Sequence, residues 1–331
     1  KRTSQSQFDV GRLSSSEGIG VSLDLDKLIS RHSAILGSTG SGKSTSTASL
    51  LRSMVLRNEE VALPSARILL IDIHGEYASA LKDMAKVFSV LPSDENQLYI
   101  PYWCVSPDKL LEFLCNSPNE AQKSQFLDKT VEEKKAAIPT NSIAGIDQNK
   151  VTSTTPLPYR LKKIWYDLSF DDGVNWQDNN MTTPAYAVGG EGDFSNLVAP
   201  KFLPPGAGAS LPKKGGSGAM KRQLEMMKSR LVDTQYSFLL EPGPWNPDAD
   251  GKVKKDLDEL FKEWIGHDKP ITIFDLSGMP SARLSLLLGS VLDLIFEAAI
   301  WGRNLNEGMR HRPLLVVLEE AHRYLGKSEP G

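Results

Sequence analysis

The sequence contains little cysteine and has no cysteine spacing typical of a metal site. Its 331 residues include two cysteines, Cys104 and Cys115, and neither has a histidine nearby in the sequence. The expectation is therefore reduced thiols in a cytoplasmic protein. A chain of this length can bury a sizeable core without disulfides.

An excess of charge of one sign is also lacking, since the formal net charge is -3 at pH 7. This balance gives no overall sign of nucleic-acid binding, but it does not exclude DNA, because ring-shaped motors can confine basic residues to a pore. One basic cluster is notable, and it could contact phosphates in such a pore. We favour a solvated helix face instead, because Glu225 interrupts the cluster. Its members are Lys213, Lys214, Lys221, Arg222, Lys228 and Arg230.

The sequence also lacks a long uninterrupted hydrophobic run. The most apolar stretch, residues 283–301, contains Asp293 and Glu297 in its interior. This pattern predicts a buried or half-buried helix, and no membrane span is expected. The sequence shows no signal peptide, begins at Lys1 without an initiator methionine and stops at Gly331. We therefore interpret it as part of a longer protein.

A glycine-rich motif, GSTGSGKS, matches the phosphate-loop pattern at Gly37, Gly42, Lys43 and Ser44. Glycines let backbone N–H groups approach the oxygens of a nucleoside triphosphate, and the following helix directs its positive N-terminal end to the same place. Lys43 supplies a charge for the β and γ phosphates, and the Ser44 hydroxyl can ligate magnesium. A chance glycine-rich turn is the alternative, and the strand and helix predicted on either side argue against it. The predicted nucleotide-binding residues are Gly37, Ser38, Thr39, Gly40, Ser41, Gly42, Lys43, Ser44 and Thr45.

A pair of acidic residues, Glu319 and Glu320, follows an apolar run at residues 315–318. Ligands bind at the carboxyl ends of the strands in open parallel sheets, so we expect this pair to lie in the active site. Glu319 would hold magnesium through a water molecule, and Glu320 would orient and polarise the attacking water. The alternative is two solvated glutamates at a strand end.

Further polar residues follow two other apolar runs. Asp72, in LLIDIHGEY, is either a second active-site carboxylate near the magnesium or the water, or the cap of the next turn. His74 is interpreted as a packed or turn-stabilising histidine, because no metal-ligand partner is evident. For Asp275 the functional and the structural interpretations both stay open.

The predicted strands alternate with predicted helices. Helical spacing of apolar residues is found at 43–57 and 284–300. The alternation predicts an α/β fold, with a parallel sheet that has helices on both faces. The predicted strands are residues 33–37, 68–73, 87–91 and 271–277, and a fifth within 313–322.

Four segments are expected along the chain. Residues 1–31 are a lead-in from an N-terminal domain that the sequence does not contain. Residues 32–100 and 268–331 are two parts of one ATPase core, and the second part is truncated. Residues 101–267 are an inserted, mainly helical subdomain. Its Gly-, Pro- and Asn-rich segment near 171–218 is either a mobile functional loop or a poorly ordered insertion.

Four motifs in order, RHSAILGSTGSGKS, LLIDIHGEY, ITIFDLSG and LLVVLEEAH, resemble the HerA branch of the HerA–FtsK group of ring ATPases. The resemblance covers both ends of the chain and leaves the middle without a signature. It implies a RecA-like P-loop NTPase core in a homohexamer that uses ATP and Mg²⁺ to move duplex DNA through its pore. It also implies a partner protein, which is a nuclease, or a nuclease or sirtuin-like effector in anti-phage systems.

By the same resemblance, Lys43 and Ser44 bind the nucleotide and magnesium, Glu320 is the catalytic glutamate and Asp72 is a further active-site acid. Proteins of this group also carry an N-terminal β-barrel that docks the partner. At the C-terminal end they carry a polar sensor and an arginine finger that reaches the neighbouring subunit. The sequence matches neither region, and Arg312 and Arg323 lie too close to the acidic strand to be assigned as the finger.

The leading hypothesis is an ATP-driven DNA translocase or helicase that serves DNA repair or anti-phage defence. A coupling ATPase of the kind used in conjugation is a second motor hypothesis, although such proteins usually carry membrane helices. The third hypothesis, from a different class, is a scaffold: an ATP-binding ring that organises an effector without processive translocation. Stimulation of ATP hydrolysis by duplex DNA distinguishes a motor from a scaffold.

Overall fold

The computed structural model of the chain describes residues 7–29, 31–57, 60–61, 67–91, 96–178, 180–204, 218–279, 281–305 and 308–323. The chain divides into two compact units. The sheet unit comprises Lys1–Leu98, Leu257–Ser285 and Ile295–Gly331, and the helical unit comprises Tyr99–Asp256 and Leu286–Leu294. The boundaries of an ATPase core and an insertion, as expected from the sequence, stay a prediction.

Helices and strands alternate in the sheet unit, whereas the helical unit is built from helices and irregular segments. The elements in chain order are β1 (Gln7–Leu13), β2 (Ser16–Asp24), α1 (Leu25–Ile29), α2 (Lys43–Val55), β3 (Leu56–Arg57), β4 (Glu60–Val61), β5 (Arg67–Asp72), α3 (Tyr77–Ala80), β6 (Ala85–Ser89), α4 (Pro107–Cys115), α5 (Glu120–Thr140), α6 (Leu161–Gly173), α7 (Lys221–Leu231), α8 (Ser237–Leu240), α9 (Leu257–Ile265), β7 (Ile271–Asp275), α10 (Ser281–Trp301) and β8 (Leu314–Leu318).

A four-stranded parallel sheet with the order β6-β7-β5-β8 forms the centre of the sheet unit. Strand β5 is buried along almost its whole length, and Leu69, Leu70 and Ile71 are fully inaccessible to solvent. A continuous apolar run of this kind is typical of a parallel strand that is covered on both faces. The predicted α/β fold is therefore confirmed, and it is the arrangement of a RecA-like P-loop core.

Helix α2 is held against one face of the sheet by an apolar contact. Leu51, Met54 and Val55 on the helix pack in one buried cluster with Ile68 of β5 and Ile273 of β7. Each fully buried side chain of this size contributes roughly 1.5–3 kcal/mol to stability. The packing fixes the start of α2, at Lys43, relative to the sheet.

The register of the strands brings their carboxyl ends to one edge. Asp72, the last residue of β5, lies opposite Asp275 at the end of β7. Ile71 lies opposite Leu318, so Glu319 directly follows β8 beside Asp72. Three of the acidic residues predicted from the sequence thus come from three adjacent strands.

The strand predicted at residues 33–37 is wrong. The sheet contains β5 to β8, and residues 31–42 are exposed, with Ile35 at 48% and Leu36 at 89% of full exposure. The physical reason is that the prediction rests on a run of only three apolar side chains, Ala34, Ile35 and Leu36. A run this short lacks the periodicity that separates a strand from an irregular segment.

The other predicted elements are confirmed within a few residues, as β5, β6, β7, β8, α2 and α10. The lead-in contains an antiparallel hairpin of β1 and β2. No helix among the described residues is long and apolar enough to cross a membrane.

The basic cluster is only partly described, because Lys213 and Lys214 lie outside the described residues. Lys221, Arg222, Lys228 and Arg230 lie on α7. The Lys228 ammonium is 5.7 Å from the centre of the Trp165 ring, and the Arg230 guanidinium is 5.6 Å from that of Tyr236. These two cations therefore cover aromatic rings of the helical unit.

The helical unit is organised around buried aromatic side chains, and the indole N–H groups of two of them have backbone partners. The indole N–H of Trp103 donates to the carbonyl oxygen of Trp245 at 2.9 Å, and that of Trp165 donates to Leu224 at 2.9 Å. The ring of Tyr102 packs edge-on against Tyr159, with centroids 5.2 Å apart. Buried indoles and phenols need such partners, because an unpaired buried donor is costly.

One lysine is almost completely enclosed by this core. Lys134 is 1% exposed, and its ammonium donates to the carbonyl oxygens of Ser153 at 2.5 Å and Thr155 at 2.7 Å. It also lies 5.2 Å from the centre of the Tyr159 ring. Burial lowers the pKa of Lys134 to about 8. In the unfolded chain a lysine titrates near its ordinary value, about 10.4.

We predict that Lys134 makes stability depend on pH. Between about pH 8 and 10.4 the unfolded chain binds more protons at this residue than the folded chain, so stability rises with pH in that window. The free energy of unfolding of the wild type, relative to Lys134→Met, should therefore increase by up to ~1.4 kcal/mol per pH unit. Urea denaturation of both proteins across this range measures the difference, and parallel curves would contradict the assignment.

Candidate functional site

The phosphate-loop motif forms an exposed turn that leads directly into α2. Gly40 and Gly42 have φ values of +78° and +84°, which glycine adopts without strain. The backbone N–H of Ser41 donates to the carbonyl oxygen of Ser38 at 3.1 Å and closes the turn. Gly42 is the N-cap of α2 and offers no side-chain cap. The N–H groups of the first helical turn thus remain available to an anion.

The space around Gly37 is limited by two side chains of the same motif. A Cβ atom at this position would come within 2.4 Å of the Ser41 hydroxyl and 3.1 Å of the Lys43 Cγ. A larger side chain at this position would therefore require the Ser41 and Lys43 side chains to shift.

Lys43 and Glu320 approach each other across the site. The Lys43 ammonium is 3.7 Å from Glu320 Oε1 and donates to the Ser38 carbonyl oxygen at 3.4 Å. The two side chains of the ion pair are 27% and 26% exposed. An ion pair with this much solvent contact contributes little to stability, so an anionic ligand can replace the carboxylate.

Glu320 has an unusual backbone conformation. Its φ is +45°, in the left-handed region that residues other than glycine rarely adopt. Its Oε2 atom is 3.2 Å from His322 Nδ1, and its carbonyl oxygen accepts from the N–H of Arg323 at 2.8 Å. Left-handed conformations of this kind cost about 1–3 kcal/mol and cluster at functional sites.

Glu319 is buried. Its carboxylate faces the loop after β5, whereas that of Glu320 faces Lys43. Its Oε2 atom accepts from the backbone N–H groups of Ile73 at 2.8 Å and His74 at 3.2 Å, and Oε1 is 3.1 Å from His74 Nδ1. Burial raises the pKa of the Glu319 carboxyl, and a hydrogen bond with Asp72 raises it further. The hydrogen bond with His74 acts against this by favouring the charged form.

Asp72 is fully buried and organises the turn that follows β5. Its Oδ1 atom accepts from the backbone N–H groups of His74 at 3.2 Å, Gly75 at 2.7 Å and Glu76 at 3.2 Å. Its Oδ2 atom accepts from that of Tyr77 at 3.0 Å. These contacts are those of a turn cap, the structural alternative considered for this residue. A direct role with the metal or the water stays a prediction.

Two functional candidates were missed by the sequence analysis or assigned only a structural role. Tyr77 is buried, which raises the pKa of its hydroxyl, and hydrogen bonds with Thr47 and Ser44 oppose that rise. It therefore joins the turn after β5 to the helix that follows the phosphate loop. His74 contacts Glu319, and its other ring nitrogen is 3.1 Å from Arg323 Nη1. Both residues stand in LLIDIHGEY, so the motif itself was the available signal.

The structure thus groups the predicted residues into two contacts, Lys43 with Glu320 and Asp72 with Glu319. Asp275 accepts from the Ser277 N–H at 2.9 Å and caps its own turn. The remaining predicted loop residues, Ser38, Thr39, Ser41 and Thr45, are exposed.

The oxygen donors here fit magnesium better than a softer metal. In the described part of the chain, no three histidine, cysteine or acidic side chains are grouped so that they could hold a metal ion. Magnesium suits such a place, because it keeps several waters and is usually held by one or two protein groups together with substrate phosphates. The sequence predicts Ser44 and Glu319 for this role, and that assignment stays a prediction.

Comparison with known proteins gives one family match. The sequence model described as the central domain of helicase HerA matches residues 8–295. This range contains the phosphate loop, Asp72 and Asp275, and it ends before Glu319 and Glu320.

Curated relatives match over shorter stretches. A probable DNA double-strand break repair helicase HerA of Methanocaldococcus jannaschii is 30% identical over 122 residues, which are 37% of this chain and 22% of the relative. A probable helicase of the same organism is 28% identical over 138 residues, 42% of this chain and 25% of the relative. An uncharacterized protein of Aquifex aeolicus is 38% identical over 73 residues, 22% of this chain and 25% of the relative. The chain thus spans about a quarter of the length of each relative.

We predict that Asp72→Asn destabilises the sheet unit. The amide replaces one acceptor oxygen by a donor, so one or more of the N–H groups at His74, Gly75, Glu76 and Tyr77 loses its partner, at about 1–3 kcal/mol where the group is buried, as at Tyr77. Denaturation in urea measures the loss. The matched control is Asp275→Asn, which affects the single bond to the Ser277 N–H and should cost less. Wild-type stability of Asp72→Asn, with ATP hydrolysis lost, would instead favour a direct catalytic role.

Proposed function

The chain belongs to the family of the central domain of helicase HerA, and we propose that it binds ATP with magnesium and hydrolyses it to drive movement on duplex DNA. The observation that carries the proposal is the approach of Lys43 to Glu320, 3.7 Å apart, at the start of α2 and the end of β8. A phosphate-binding cation and a carboxylate able to orient water meet there, at the carboxyl edge of a parallel sheet.

The triphosphate would lie against the first turn of α2. The uncapped N–H groups and the positive end of the helix favour an anion at this place. Lys43 would leave Glu320 and Ser38 and place its charge on the β and γ phosphates. Gly37 and Gly42 supply the close backbone approach that the phosphates need.

Magnesium would be held by the Ser44 hydroxyl and, through a water, by the Glu319 carboxylate. When bound, the ion would neutralise negative charge on the phosphoryl oxygens. Tyr77 is buried and interacts with Ser44, which would support this arrangement. Asp72 holds the backbone that in turn holds Glu319.

Glu320 would orient and polarise the attacking water. Once a phosphate pairs with the Lys43 ammonium, the Glu320 carboxylate is free to accept a hydrogen bond from that water. The contact with His322, at 3.2 Å, remains to hold its second oxygen. We therefore assign the general-base role in hydrolysis to Glu320. Lys43 and Asp72 are the other catalytic candidates.

Movement of DNA and assembly are the further parts of the proposal. A relative is named as a DNA double-strand break repair helicase, which supports duplex DNA as the substrate here. We propose a cytoplasmic homohexamer with DNA in its pore and a nuclease or sirtuin-like effector as partner, in DNA repair or anti-phage defence. An ATP-binding scaffold for such an effector is the alternative, in which DNA would leave ATP turnover unchanged.

We predict that the chain releases phosphate from ATP with magnesium, that duplex DNA increases the rate, and that Lys43→Ala abolishes it. Loss of the point charge removes the main side-chain contact to the β and γ phosphates. The matched control is Lys162→Ala, which removes another lysine paired with a glutamate, Glu241, at 2.7 Å in the helical unit. Near-normal hydrolysis in Lys43→Ala would overturn the proposal, and a rate that DNA leaves unchanged would favour the scaffold.

We predict that Glu320→Gln keeps ATP bound and slows hydrolysis by about 10²–10⁴-fold, because the amide keeps the shape but loses the general base. Binding of a fluorescent ATP analogue and phosphate release measure the two effects separately. Affinity should not fall, since the variant also loses the ion pair that competes for Lys43. Glu112→Gln, in the helical unit, is the control, because it likewise removes a carboxylate paired with a lysine. Hydrolysis by Glu320→Gln at the wild-type rate would show that Glu320 is not the catalytic base.

A further inference from the structure

His74 lies between two groups whose hydrogen-bonding chemistry is fixed. On one side its Nδ1 atom is 3.1 Å from Oε1 of Glu319. On the other side its Nε2 atom is 3.1 Å from Nη1 of Arg323. All three residues belong to the sheet unit, and the histidine side chain is 41% exposed whereas that of Glu319 is 6% exposed.

The two contacts determine the tautomer of the imidazole. Arginine carries only donors and stays charged, so Nε2 must be the bare nitrogen that accepts its N–H. An ionised carboxylate only accepts, so Nδ1 must carry the proton and donate it to Glu319. The Arg323 contact alone selects the neutral Nδ1–H form, and the Glu319 contact agrees with it.

We propose that His74, fixed in the Nδ1–H form by Arg323, is a positioning residue that orients the Glu319 carboxylate. The inference deepens the proposed function, on which its role in magnesium binding rests. The imidazole does not touch the nucleotide in this proposal. It holds Oε1, while the backbone N–H groups of Ile73 and His74 hold Oε2.

The geometry shows what the imidazole would do for Glu319. The Glu319 side chain is 6% exposed, and a buried carboxylate needs hydrogen-bond donors to carry its charge. A donated hydrogen bond from His74 favours the ionised carboxylate. Arg323 contributes a permanent positive charge behind the imidazole without entering the site. Partners of this kind, one step removed from a metal, commonly change metal affinity about 10–100-fold when they are removed.

Arg323 joins two loops of the same chain. Its guanidinium contacts His74 in the loop after β5, and its backbone N–H donates to the carbonyl oxygen of Glu320 in the loop after β8 at 2.8 Å.

The first test is spectroscopic and needs neither nucleotide nor metal. The chain is labelled with ¹⁵N at its histidines, and long-range ¹H–¹⁵N spectra are recorded at a pH where imidazoles are neutral. His74, assigned by its loss in His74→Phe or His74→Asn, should show a protonated Nδ1 and a bare Nε2. Arg323→Ala should shift it toward a mixture of the two tautomers. An Nε2–H form, or a spectrum that Arg323→Ala leaves unchanged, would overturn the proposal.

The second test is the magnesium dependence of ATP hydrolysis. His74→Phe should raise the magnesium concentration for half-maximal activity about 10-fold. His74→Asn, whose amide N–H can replace the Nδ1 donor, should restore most of the loss, and Arg323→Ala should fall between the wild type and His74→Phe. His311→Phe, at an exposed histidine of the same unit, is the matched control. An unchanged magnesium requirement in His74→Phe and in Arg323→Ala would overturn the positioning role.

The two tests separate this inference from the proposed function. A wild-type chain without ATPase activity at any magnesium concentration would overturn the proposed function, and the tautomer would still decide whether Arg323 fixes His74. Should His74→Phe fail to fold, His74→Asn and Arg323→Ala carry the measurement.

Discussion

Two buried carboxylates, those of Asp72 and Glu319, accept hydrogen bonds from the backbone N–H groups of residues 73–77. This interaction determines the shape of the whole sheet edge. When the chain leaves β5, its N–H groups lose their partners in the sheet, and buried N–H groups must find others. The carboxylates supply them from two adjacent parallel strands. The turn in this way places Tyr77 against the helix of the phosphate loop and His74 against Glu319.

The same interaction places two acidic side chains, Asp72 and Glu319, next to each other in a buried place, where their charges repel. Two acidic side chains that share a hydrogen bond in a buried place raise the pKa of Glu319. The N–H groups of Ile73 and His74 and the imidazole of His74 stabilise the charged carboxylate in return. An apolar pair would leave the N–H groups of residues 73–77 without these acceptors, so the two carboxylates contribute to the stability of the turn. Under the proposed function, the charge that they hold would also serve the magnesium ion.

The strands of the sheet could be predicted from the sequence, whereas most side-chain contacts of the site could not. Strands β5, β7 and β8 and helix α2 follow from apolar runs and helical spacing, which are local patterns. The same reasoning fails at residues 33–37, where three apolar residues are too few to specify a strand. The roles of His74 and Arg323 depend on the register of β5 against β8, which joins atoms 245 residues apart in the sequence. Such a contact leaves no local pattern, and only the motif around His74 indicated that the residue was worth attention.

The left-handed conformation of Glu320 explains how two consecutive glutamates serve different partners. In a strand that continued past Leu318, alternate side chains would point to opposite faces of the sheet. Here Glu319 turns to the loop after β5, and the φ of +45° at Glu320 ends the strand at once and brings its carboxylate to Lys43. Glycine would adopt this φ without strain, but it has no carboxylate. Asparagine tolerates the conformation better than glutamate, but it cannot act as a base. Under the proposed function, a glutamate held at a backbone cost of about 1–3 kcal/mol is thus the residue expected where geometry and chemistry are both required.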